Sequence, residues 1–326
     1  MRAGILTRHG APPELAGHPD PAAGNGRSLV TTTAAPITPL DLLCATGTSY
    51  FGAPALPYVP GVQGVGVVQE SATLPRGTRV WFPTVAGMAP GDGSLAERVL
   101  VADAELVELT SDVDAPLVAA LGLSAVAAWM SLTWRAGVQP GEQVLVLGAG
   151  GVVGQVAVQA ARLLGARRVV GAARSEGGRQ RARAVGADVV VPLRDGDEPE
   201  SLGRRLAEAA DGDLDVVVDP LCGVPATAAL GLLGPRGRLV NLGSSAAPSA
   251  AFSSADLRSR TAAVLGYTNN ALTIEERNGA LAAVLDHAAA GRLSVDYEQV
   301  PFDDLPAAWA RQAAGRADRR LVVTLA

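Results

Sequence analysis

The chain has 326 residues, with 27 basic and 32 acidic side chains and a formal net charge of −5. A length of this kind is typical of about two domains. The content of hydrophobic residues, 48%, and of charged residues, 18%, excludes a disordered chain. An acidic balance without a basic run predicts no nucleic-acid partner, and aromatic residues, at 4%, are too few for a base-stacking surface. Every basic side chain is an arginine, which excludes Schiff-base chemistry and a P-loop lysine.

The few cysteines and histidines predict neither disulfides nor a metal. Cys44 and Cys222 lie far apart, as expected in a reducing cytoplasm. His9, His18 and His287 form no ligand motif with them, so we expect no zinc site. The N-terminus lacks the apolar core of a signal peptide, and no apolar run reaches the ~18 residues of a membrane span. We therefore predict a soluble cytoplasmic protein without a membrane partner.

Short strand patterns broken by glycine and proline fill the chain as far as about residue 114. Examples are SLVTTTAAPI, GVGVVQE, TRVWFP and AERVLVADAELVEL, with turn sequences such as LPRGT and APGDGS between them. This spacing predicts a β-rich, barrel-like domain.

From about Pro116 the pattern changes to alternating strands and helices. The helix-length stretch APLVAALGLSAVAAWMSLTWRAG leads into the strand VLVLG, and the strands RRVVGAAR, DVVVPL, LDVVVD, GRLVNLGS and TAAVLGYT follow between helices. Strands rich in Val and Leu, separated by helices of about 10–15 residues, predict a parallel sheet that is covered on both faces.

The tail from about Asn269 begins with a strong helix pattern, TIEERNGALAAVLDHAAAG. Thr273 and Glu276 have capping-box spacing, and Gly291 can end the helix. A shorter helix, DDLPAAWARQAAG, precedes the last strand, RLVVTLA. Because this tail is too short to form a core alone, we expect it to return to the first domain.

A glycine motif directly follows the strand VLVLG. Gly148, Gly151 and Gly154 form GxxGxxG between a buried strand and an apolar helix, which is the context of a dinucleotide-binding turn. Glycine lets the backbone approach a pyrophosphate, and the helix N-terminus at Val152 and Val153 supplies N–H groups and a partial positive charge. We predict a nucleotide site here. The alternative is a glycine-rich turn without a ligand.

The end of the next strand selects the cofactor. NAD sites place an acidic residue there to accept hydrogen bonds from the ribose 2′-hydroxyl. This chain instead has Ala173, Arg174 and Ser175, with Arg179 and Arg181 shortly after. The lack of a carboxylate at the strand end removes repulsion of a 2′-phosphate, and an arginine can pair with that phosphate bidentately. We predict NADPH, with Arg174 best placed and Arg179 second. Alternatively, these arginines form a solvated helix face.

Together these features resemble the medium-chain dehydrogenase/reductase superfamily across nearly the whole chain. The segments APITPLDLLCATGTSYFGAPALPYVPGVQGVGVV, AGVQPGEQVLVLGAGGVVGQVAVQAARLLGA, AVGADVVV and GPRGRLVNLG occur in the family's order. The resemblance implies an α/β fold, with a Rossmann doubly wound parallel sheet and a GroES-like β-rich catalytic domain. The implied bounds are 1–117 and 269–326 for the catalytic domain and 118–268 for the Rossmann domain.

The zinc alcohol dehydrogenases of this superfamily hold their metal at three positions that carry no usual ligand here. These positions fall on Thr38, Val62 and about Leu121, and the cysteine-rich structural-zinc loop is missing. Cys44 lies beyond the first position and is predicted to be a small core residue. The resemblance therefore implies the zinc-independent branch, which is similar to quinone oxidoreductases and enoyl reductases.

The chain departs from the quinone reductase pattern at two positions. That branch usually has Asn where Thr38 stands in TPLD, and Glu where Gln63 stands in VQG. The resemblance places both positions near the nicotinamide, so these changes indicate a dedicated substrate in place of an ordinary quinone.

Without a metal to polarise an alcohol, reduction of a quinone or an electron-poor C=C is the favoured reaction. Hydride goes from NADPH to the β-carbon, donors stabilise the enolate oxygen, and a proton arrives from Tyr or water. By resemblance, the loop ATGTSYFG places Tyr50 over the nicotinamide, so Tyr50 is the leading donor; the alternative is a packing aromatic. Thr38 could bind the substrate oxygen or the nicotinamide ribose, or could be a turn residue before Pro39. Asp41 is expected to hold backbone N–H groups.

Further cofactor contacts are predicted on both sides of the glycine motif. Ser124 could bond the nicotinamide amide, or its own helix backbone. Ligands sit at the carboxyl ends of parallel strands, and the residues at those ends are Leu242, Gly243, Tyr267 and Asn269. By resemblance, Arg320 falls where a family lysine approaches the cofactor phosphate; a solvated surface position is the alternative.

Five of the twelve aromatic residues lie between positions 50 and 82, which predicts a wall for a flat, apolar or aromatic small-molecule substrate. Ordinary core packing is the alternative for at least half of them. We predict an NADPH-dependent, zinc-independent reductase of a quinone or of the C=C of an α,β-unsaturated carbonyl. The alternatives are a tailoring enoyl reductase for a polyketide-like intermediate and a non-catalytic NADPH-binding sensor. The family pairs edge strands, here TAAVLGYT, so a homodimer is expected.

Overall fold

A computed structural model of the chain describes residues 1–325. The strands in this range are β1 (Arg2–Ile5), β2 (Glu14–Gly17), β3 (Arg27–Pro36), β4 (Gln63–Glu70), β5 (Arg79–Pro83), β6 (Arg98–Ala102), β7 (Val107–Glu108), β8 (Gln143–Leu147), β9 (Arg168–Ala173), β10 (Val189–Pro192), β11 (Leu214–Asp219), β12 (Leu233–Asn241), β13 (Ala263–Gly266), β14 (Tyr297–Pro301) and β15 (Arg320–Thr324). The α-helices are α1 (Pro39–Thr46), α2 (Ala115–Met130), α3 (Val152–Leu163), α4 (Glu176–Ala184), α5 (Pro199–Ala209), α6 (Gly223–Leu230), α7 (Ser254–Arg260), α8 (Ile274–Ala289) and α9 (Leu305–Ala313).

The chain divides into two compact units. The first comprises Met1–Leu123 and the chain from Asp296 onward, and the second comprises Ser124–Val295. The first boundary lies within α2, beside Gly122, whose backbone angles (φ 32°, ψ −132°) are not helical. The second boundary follows α8, whereas the sequence pattern places it at residue 268.

Helix α8 belongs to the second unit, so its predicted place in the first domain is wrong. The ring of His287, on this helix, lies 5.3 Å from that of Trp129. After the helix, Ser294 exchanges two hydrogen bonds of 2.7 and 3.0 Å with the side chain of Gln159 on α3. The tail therefore returns to the first unit only from Asp296.

The second unit is built on a six-stranded parallel sheet in the order β10-β9-β8-β11-β12-β13. Strand order reverses between β8 and β11, and the crevice outside the carboxyl ends at such a point is where ligands bind in this architecture. The central strands β8 and β11 are almost entirely buried, as expected of strands whose two faces are both covered. The predicted Rossmann sheet is confirmed.

The first unit is built on a mostly antiparallel sheet in the order β14-β15-β3-β4-β5-β7, with β6 also paired to β3. A separate hairpin joins β1 and β2. Strand β15 pairs with β3, so the end of the described chain is part of this sheet. One core contains Leu6, Ile37, Leu95, Trp309 and Leu321, all fully buried or nearly so. The predicted α/β fold, with a β-rich unit beside the Rossmann unit, is confirmed.

One helix of the described chain, Ala115–Ala136, is long and apolar enough to cross a membrane by length and composition, with a mean hydropathy of 1.8. It consists of α2 and a π-helical continuation, Ser131–Ala136. In its most apolar window, 61% is buried inside the protein, as in the core helix of a globular protein.

Candidate cofactor-binding and catalytic residues

The predicted phosphate turn joins β8 to α3 in the second unit. Gly148 follows β8 with a φ of 66°, a left-handed conformation that favours glycine. A Cβ on Gly154 would lie 2.5 Å from the Cα of Ala149. Only glycine therefore lets α3 begin this close to the turn.

The first turn of α3 is open to an anion. Gly151 precedes the helix and is exposed, and a Cβ there would meet only the carbonyl oxygen of Gly148, at 3.5 Å. Val152 and Val153 open the helix, and no side chain among the described residues caps it. Since a helix leaves the N–H groups of its first turn without intrahelical partners, this turn fits the pyrophosphate of a dinucleotide.

Gly150, which the sequence analysis did not single out, brings this turn against the start of α4. A Cβ on Gly150 would lie 2.7 Å from the carbonyl oxygen of Gly178. The Gly150 carbonyl also accepts hydrogen bonds from Gln155 Nε2 (3.0 Å) and Arg181 Nε (3.2 Å). The turn after β8 thus packs directly against the start of α4. The feature of the sequence that could have predicted this contact is the pair of glycines directly before Arg179.

The arginines after β9 differ in their contacts. Ser175 caps α4 by accepting a hydrogen bond from Gly178 N (3.0 Å). Arg179 donates to Glu176 Oε2 through Nε (3.0 Å) and Nη2 (2.5 Å), and to the carbonyl of Arg174 through Nη1 (2.6 Å). The Arg174 side chain is exposed and has no ion pair in the part of the chain that the structure describes. Arg179 is therefore committed to neighbours, and Arg174 is the arginine left for a ligand.

The carboxyl ends of β12 and β13 carry the other predicted cofactor residues of this unit, which are Leu242, Gly243, Tyr267 and Asn269. Leu242 N donates to the carbonyl of Asp219 (2.9 Å), and the Gly243 carbonyl accepts from Asn241 Nδ2 (2.9 Å). The Tyr267 hydroxyl donates to Asn269 Oδ1 (2.7 Å), and burial raises the pKa of this phenol. The four residues thus lie at the carboxyl edge of the sheet and are held there by hydrogen bonds to their neighbours.

Asp219, at the end of β11, is a buried carboxylate that the sequence analysis missed. Its Oδ1 accepts from the N–H groups of Leu221 (2.9 Å) and Cys222 (2.8 Å), and its Oδ2 accepts from Asn241 Nδ2 (2.8 Å). Burial raises its pKa, and these hydrogen bonds oppose the rise. Asp219 holds the ends of two adjacent strands together. The feature of the sequence that could have identified Asp219 is its position at the end of a buried, Val-rich strand.

In the first unit, Thr38 and Asp41 form a capping box at the start of α1. Thr38 Oγ1 donates to Asp41 Oδ2 (2.6 Å) and accepts from Asp41 N (3.2 Å). Asp41 Oδ1 accepts from Val62 N (2.8 Å), which confirms the structural role predicted for this carboxylate. Burial raises the Asp41 pKa, against the effect of its hydrogen bonds. Because the Thr38 proton is already donated, the geometry favours the helix-cap interpretation over a hydrogen bond to substrate.

Arg320 is buried in the first unit, with only 8% exposed. Its Nη1 donates to the carbonyl of Ile37 (3.0 Å). Burial lowers its pKa, and the charge of Asp41 opposes this. The solvated-surface alternative is therefore wrong, and the observed contacts are those of a structural residue on β15.

Gln63 fills the break in α2. Its Oε1 accepts from the backbone N of Leu123 (2.6 Å) and from Trp81 Nε1 (3.2 Å). A Cβ on Gly122 would lie 2.6 Å from Gln63 Cδ, so glycine leaves the space that this amide occupies. The residue that departs from the quinone reductase pattern is thus part of the packing of the helix break. Ser124 lies half-buried just after the break, in the second unit.

The aromatic residues between positions 50 and 82 separate into two sets. Tyr58, Trp81 and Phe82 are buried, so core packing is the correct interpretation for them. Tyr50 is 78% exposed and its ring centroid lies 4.2 Å from that of Phe51. Only this pair is left to form part of a substrate-contacting surface.

The residues at the family's zinc positions have other contacts. Thr38 caps α1, while Val62 and Leu121 are buried apolar side chains. Cys44 is buried, as predicted, and burial raises its pKa to about 11. Residues 1–325 contain no group of three or more His, Cys, Asp or Glu side chains that could hold a metal ion.

Comparison with known proteins shows the relatives of the chain. Residues 152–286 match the family described as zinc-binding dehydrogenase. A quinone oxidoreductase from Rattus norvegicus is 32% identical over 251 residues, or 74% of this chain and 73% of that protein. The quinone oxidoreductase from Thermus thermophilus, also solved as a complex with NADPH, is 30% identical with a TM-score of 0.79 over all of both chains. The polyketide synthase protein NorB from Streptomyces orinoci is 37% identical over 174 residues, or 49% of this chain and 8% of that protein.

Proposed function

We propose a function from the premise that the chain belongs to the medium-chain dehydrogenase/reductase superfamily, in its quinone oxidoreductase-like branch. We infer that it is an NADPH-dependent, zinc-independent reductase of a quinone or of the C=C of an α,β-unsaturated carbonyl. The observation that carries the proposal is the open glycine turn of the second unit, next to an exposed arginine without an ion pair. A pyrophosphate and a 2′-phosphate need these two features together.

Three features support NADPH over NADH. β9 ends in Ala173 without a carboxylate, the Arg174 guanidinium is exposed, and the glycine turn contacts the segment that carries it. The Thermus relative is described in complex with NADPH. When bound, NADPH supplies the hydride.

The protein's own contribution is to bind, orient and protonate. The first turn of α3 would hold the pyrophosphate through backbone N–H groups, and Arg174 would pair with the 2′-phosphate. The exposed Tyr50 phenol is our candidate for the proton that completes the reduction. The Tyr50–Phe51 pair offers an apolar surface for a flat substrate.

Zinc independence is supported by the side chains at the family's ligand positions. Val62 and Leu121 have no donor atoms, and the Thr38 hydroxyl proton is donated to Asp41. Side chains of this kind do not form a zinc site. A reductase that leaves charge on a conjugated oxygen does not require a metal, whereas an alcohol dehydrogenase gains most from one.

The test is consumption of NADPH and NADH by the purified protein with a panel of quinones and enones. We expect faster turnover with NADPH, and we expect Arg174→Ala to raise the KM for NADPH at least about tenfold with little effect on NADH, because only NADPH carries the 2′-phosphate. Arg204→Ala is the matched control, since Arg204 is an exposed arginine on α5. If the wild-type protein turns over faster with NADH, and Arg174→Ala does not change this preference, the assignment of NADPH is contradicted. The assignment as a reductase would still stand.

The similarity to a segment of NorB favours a second candidate, an enoyl reductase for a polyketide-like intermediate. Enoyl thioesters in the same panel distinguish the two candidate functions. A polyketide-type enoyl reductase is expected to turn over enoyl thioesters and not quinones. Tight NADPH binding without turnover on any member would favour the NADPH-binding sensor.

We also propose that the protein is a cytoplasmic homodimer that acts on a small apolar or aromatic substrate, without nucleic-acid or membrane partners. The exposed edge strand of the parallel sheet supports the dimer.

A further inference from the structure

We infer that Glu176 limits the preference of this site for NADPH, because it occupies Arg179 and competes with a 2′-phosphate for it. The inference rests on the proposed NADPH site and identifies a specificity-determining residue within it. It predicts that a single acidic side chain, outside the end of β9, controls how strongly the two cofactors are distinguished.

The carboxylate of Glu176 lies between two arginines of its own helix. Its Oε2 accepts from Arg179 through Nε (3.0 Å) and Nη2 (2.5 Å), and Arg183 Nη1 lies 3.6 Å from its Oε1. The hydrogen bond from Arg179, followed by the charge of Arg179, lowers the Glu176 pKa. An anion with several guanidinium contacts is the arrangement by which proteins bind phosphate.

The position of Glu176 makes this pairing relevant to the cofactor. It is the first residue of α4, directly after Ser175 and close to Arg174. The close approach of Gly150 to Gly178 places this helix start against the glycine turn. A 2′-phosphate that pairs with Arg174 therefore approaches a surface on which Glu176 already neutralises Arg179.

Glu176 then acts on the two cofactors in opposite ways. Its charge repels a 2′-phosphate and occupies a guanidinium that could bind one. A carboxylate near this position can also accept hydrogen bonds from the 2′-hydroxyl that NADH presents. Arg174 favours NADPH, and Glu176 reduces that advantage.

The experiment is an equilibrium titration of wild-type protein with NADPH, NADH and 2′,5′-ADP, repeated with Glu176→Gln. The isosteric substitution removes the charge, and with it the ion pair between Glu176 and Arg179. We expect NADPH and 2′,5′-ADP to bind at least about threefold more tightly, while NADH binding is unchanged or weaker. Glu200→Gln is the matched control, because Glu200 is an exposed glutamate in the first turn of α5.

A second pair of variants identifies the route of the effect. Arg179→Ala alone should weaken NADPH binding, because it leaves the Glu176 charge without its main partner near the 2′-phosphate. In the double variant Glu176→Gln/Arg179→Ala, we expect part of the gain from Glu176→Gln to be lost. A gain that is fully retained would overturn competition for Arg179.

The outcomes also separate this inference from the proposed function. If the wild-type protein binds neither NADPH nor 2′,5′-ADP, the NADPH site itself is wrong and the inference is overturned with it. If the wild-type protein binds both and Glu176→Gln binds them no more tightly, only the role of Glu176 is overturned. If Glu176→Gln weakens only NADH binding, competition with the 2′-phosphate is overturned, and Glu176 instead contacts the ribose 2′-hydroxyl.

Discussion

Gly122 shows how one residue without a side chain can determine local structure. Its φ of 32° breaks α2, and the space where a Cβ would stand is taken by the amide of Gln63. The break frees the N–H of Leu123, which Gln63 Oε1 accepts at 2.6 Å. The helix break and the buried amide therefore depend on each other.

Gly122→Ala is expected to destabilise the protein by about 2–4 kcal/mol, because the new Cβ overlaps Gln63 and the backbone angle is unfavourable for alanine. Urea unfolding measures the effect. Gly279→Ala is the matched control within α8, since a Cβ on Gly279 meets nothing within 4 Å among the described residues. There we expect a gain of about 0.5–1 kcal/mol from the lower entropy of the unfolded chain. If the two substitutions changed the free energy of unfolding equally, the close packing of Gly122 against Gln63 would not be what makes glycine necessary there.

At the residue scale, sequence reasoning identifies backbone positions better than side-chain partners. The glycines of the phosphate turn could be predicted, because their motif states a conformational requirement. The pairing of Arg179 with Glu176 was missed, since a long side chain has several neighbours within reach and spacing does not select one. The burial of Arg320 was missed for another reason: an arginine at the start of a strand is usually exposed, even where the residues after it are apolar.

At the element scale, an ion pair joins the start of β8 to β12. Arg238 Nη1 and Nη2 donate to the two carboxylate oxygens of Glu142 (2.6 and 2.7 Å), and Arg238 Nε donates to the carbonyl of Ala136 (2.8 Å). Only 13% of the Arg238 side chain and 20% of the Glu142 side chain are exposed. A bidentate, shielded pair of this kind stabilises more than an exposed one.

We expect Arg238→Ala to lower the free energy of unfolding by about 2–3 kcal/mol, because it leaves a half-buried carboxylate without its partner. Arg167→Ala is the control, since Arg167 pairs with Asp211 at positions that are 40% and 77% exposed. An exposed pair should contribute less than about 1 kcal/mol. Chemical denaturation compares the two variants, and similar losses would show that shielding does not matter here.

The ion pair between Arg238 and Glu142 also predicts that the stability of the protein falls at acid pH. Burial raises the pKa of Glu142, but the hydrogen bonds from Arg238 and from Gln139 N, with the charge of Arg238, outweigh burial and lower it overall from 4.5. The stabilisation is therefore complete above the ordinary pKa and is lost as pH falls through the lower, folded value. Glu142→Gln should flatten this part of a plot of Tm against pH. If the Tm of Glu142→Gln falls at acid pH as steeply as that of the wild-type protein, the Arg238–Glu142 pair is not the cause of that fall.

Sequence patterns predicted the elements of the second unit well. All six strands of the parallel sheet were anticipated, because short buried strands between helices have a clear periodicity. The capping box of α8 also forms as expected, between Thr273 and Glu276. The unit to which α8 belongs was predicted wrongly, since periodicity shows that a helix exists and not what it packs against. The hairpin of β1 and β2 was missed because β2, with the sequence ELAG, is mostly exposed and has no apolar alternation.

At the scale of the whole molecule, the two edges of the parallel sheet differ. The outer strand β10 ends in Pro192, which has no N–H to offer a further strand. The other outer strand, β13, carries neither proline nor charge, and Val264 at its centre is 46% exposed. An uncovered apolar edge favours pairing with a second chain, and a two-fold axis would pair β13 with its own copy.

We therefore expect a homodimer in solution that Val264→Arg converts to a monomer, because the substitution places a charge at the centre of the shared edge. Size-exclusion chromatography with light scattering measures the mass of each form. Leu163→Arg is the matched control, since Leu163 is also an exposed apolar residue of the second unit but lies on α3. It should leave the dimer intact. A wild-type monomer, or dissociation of both variants alike, would show that the β13 edge is covered in some other way.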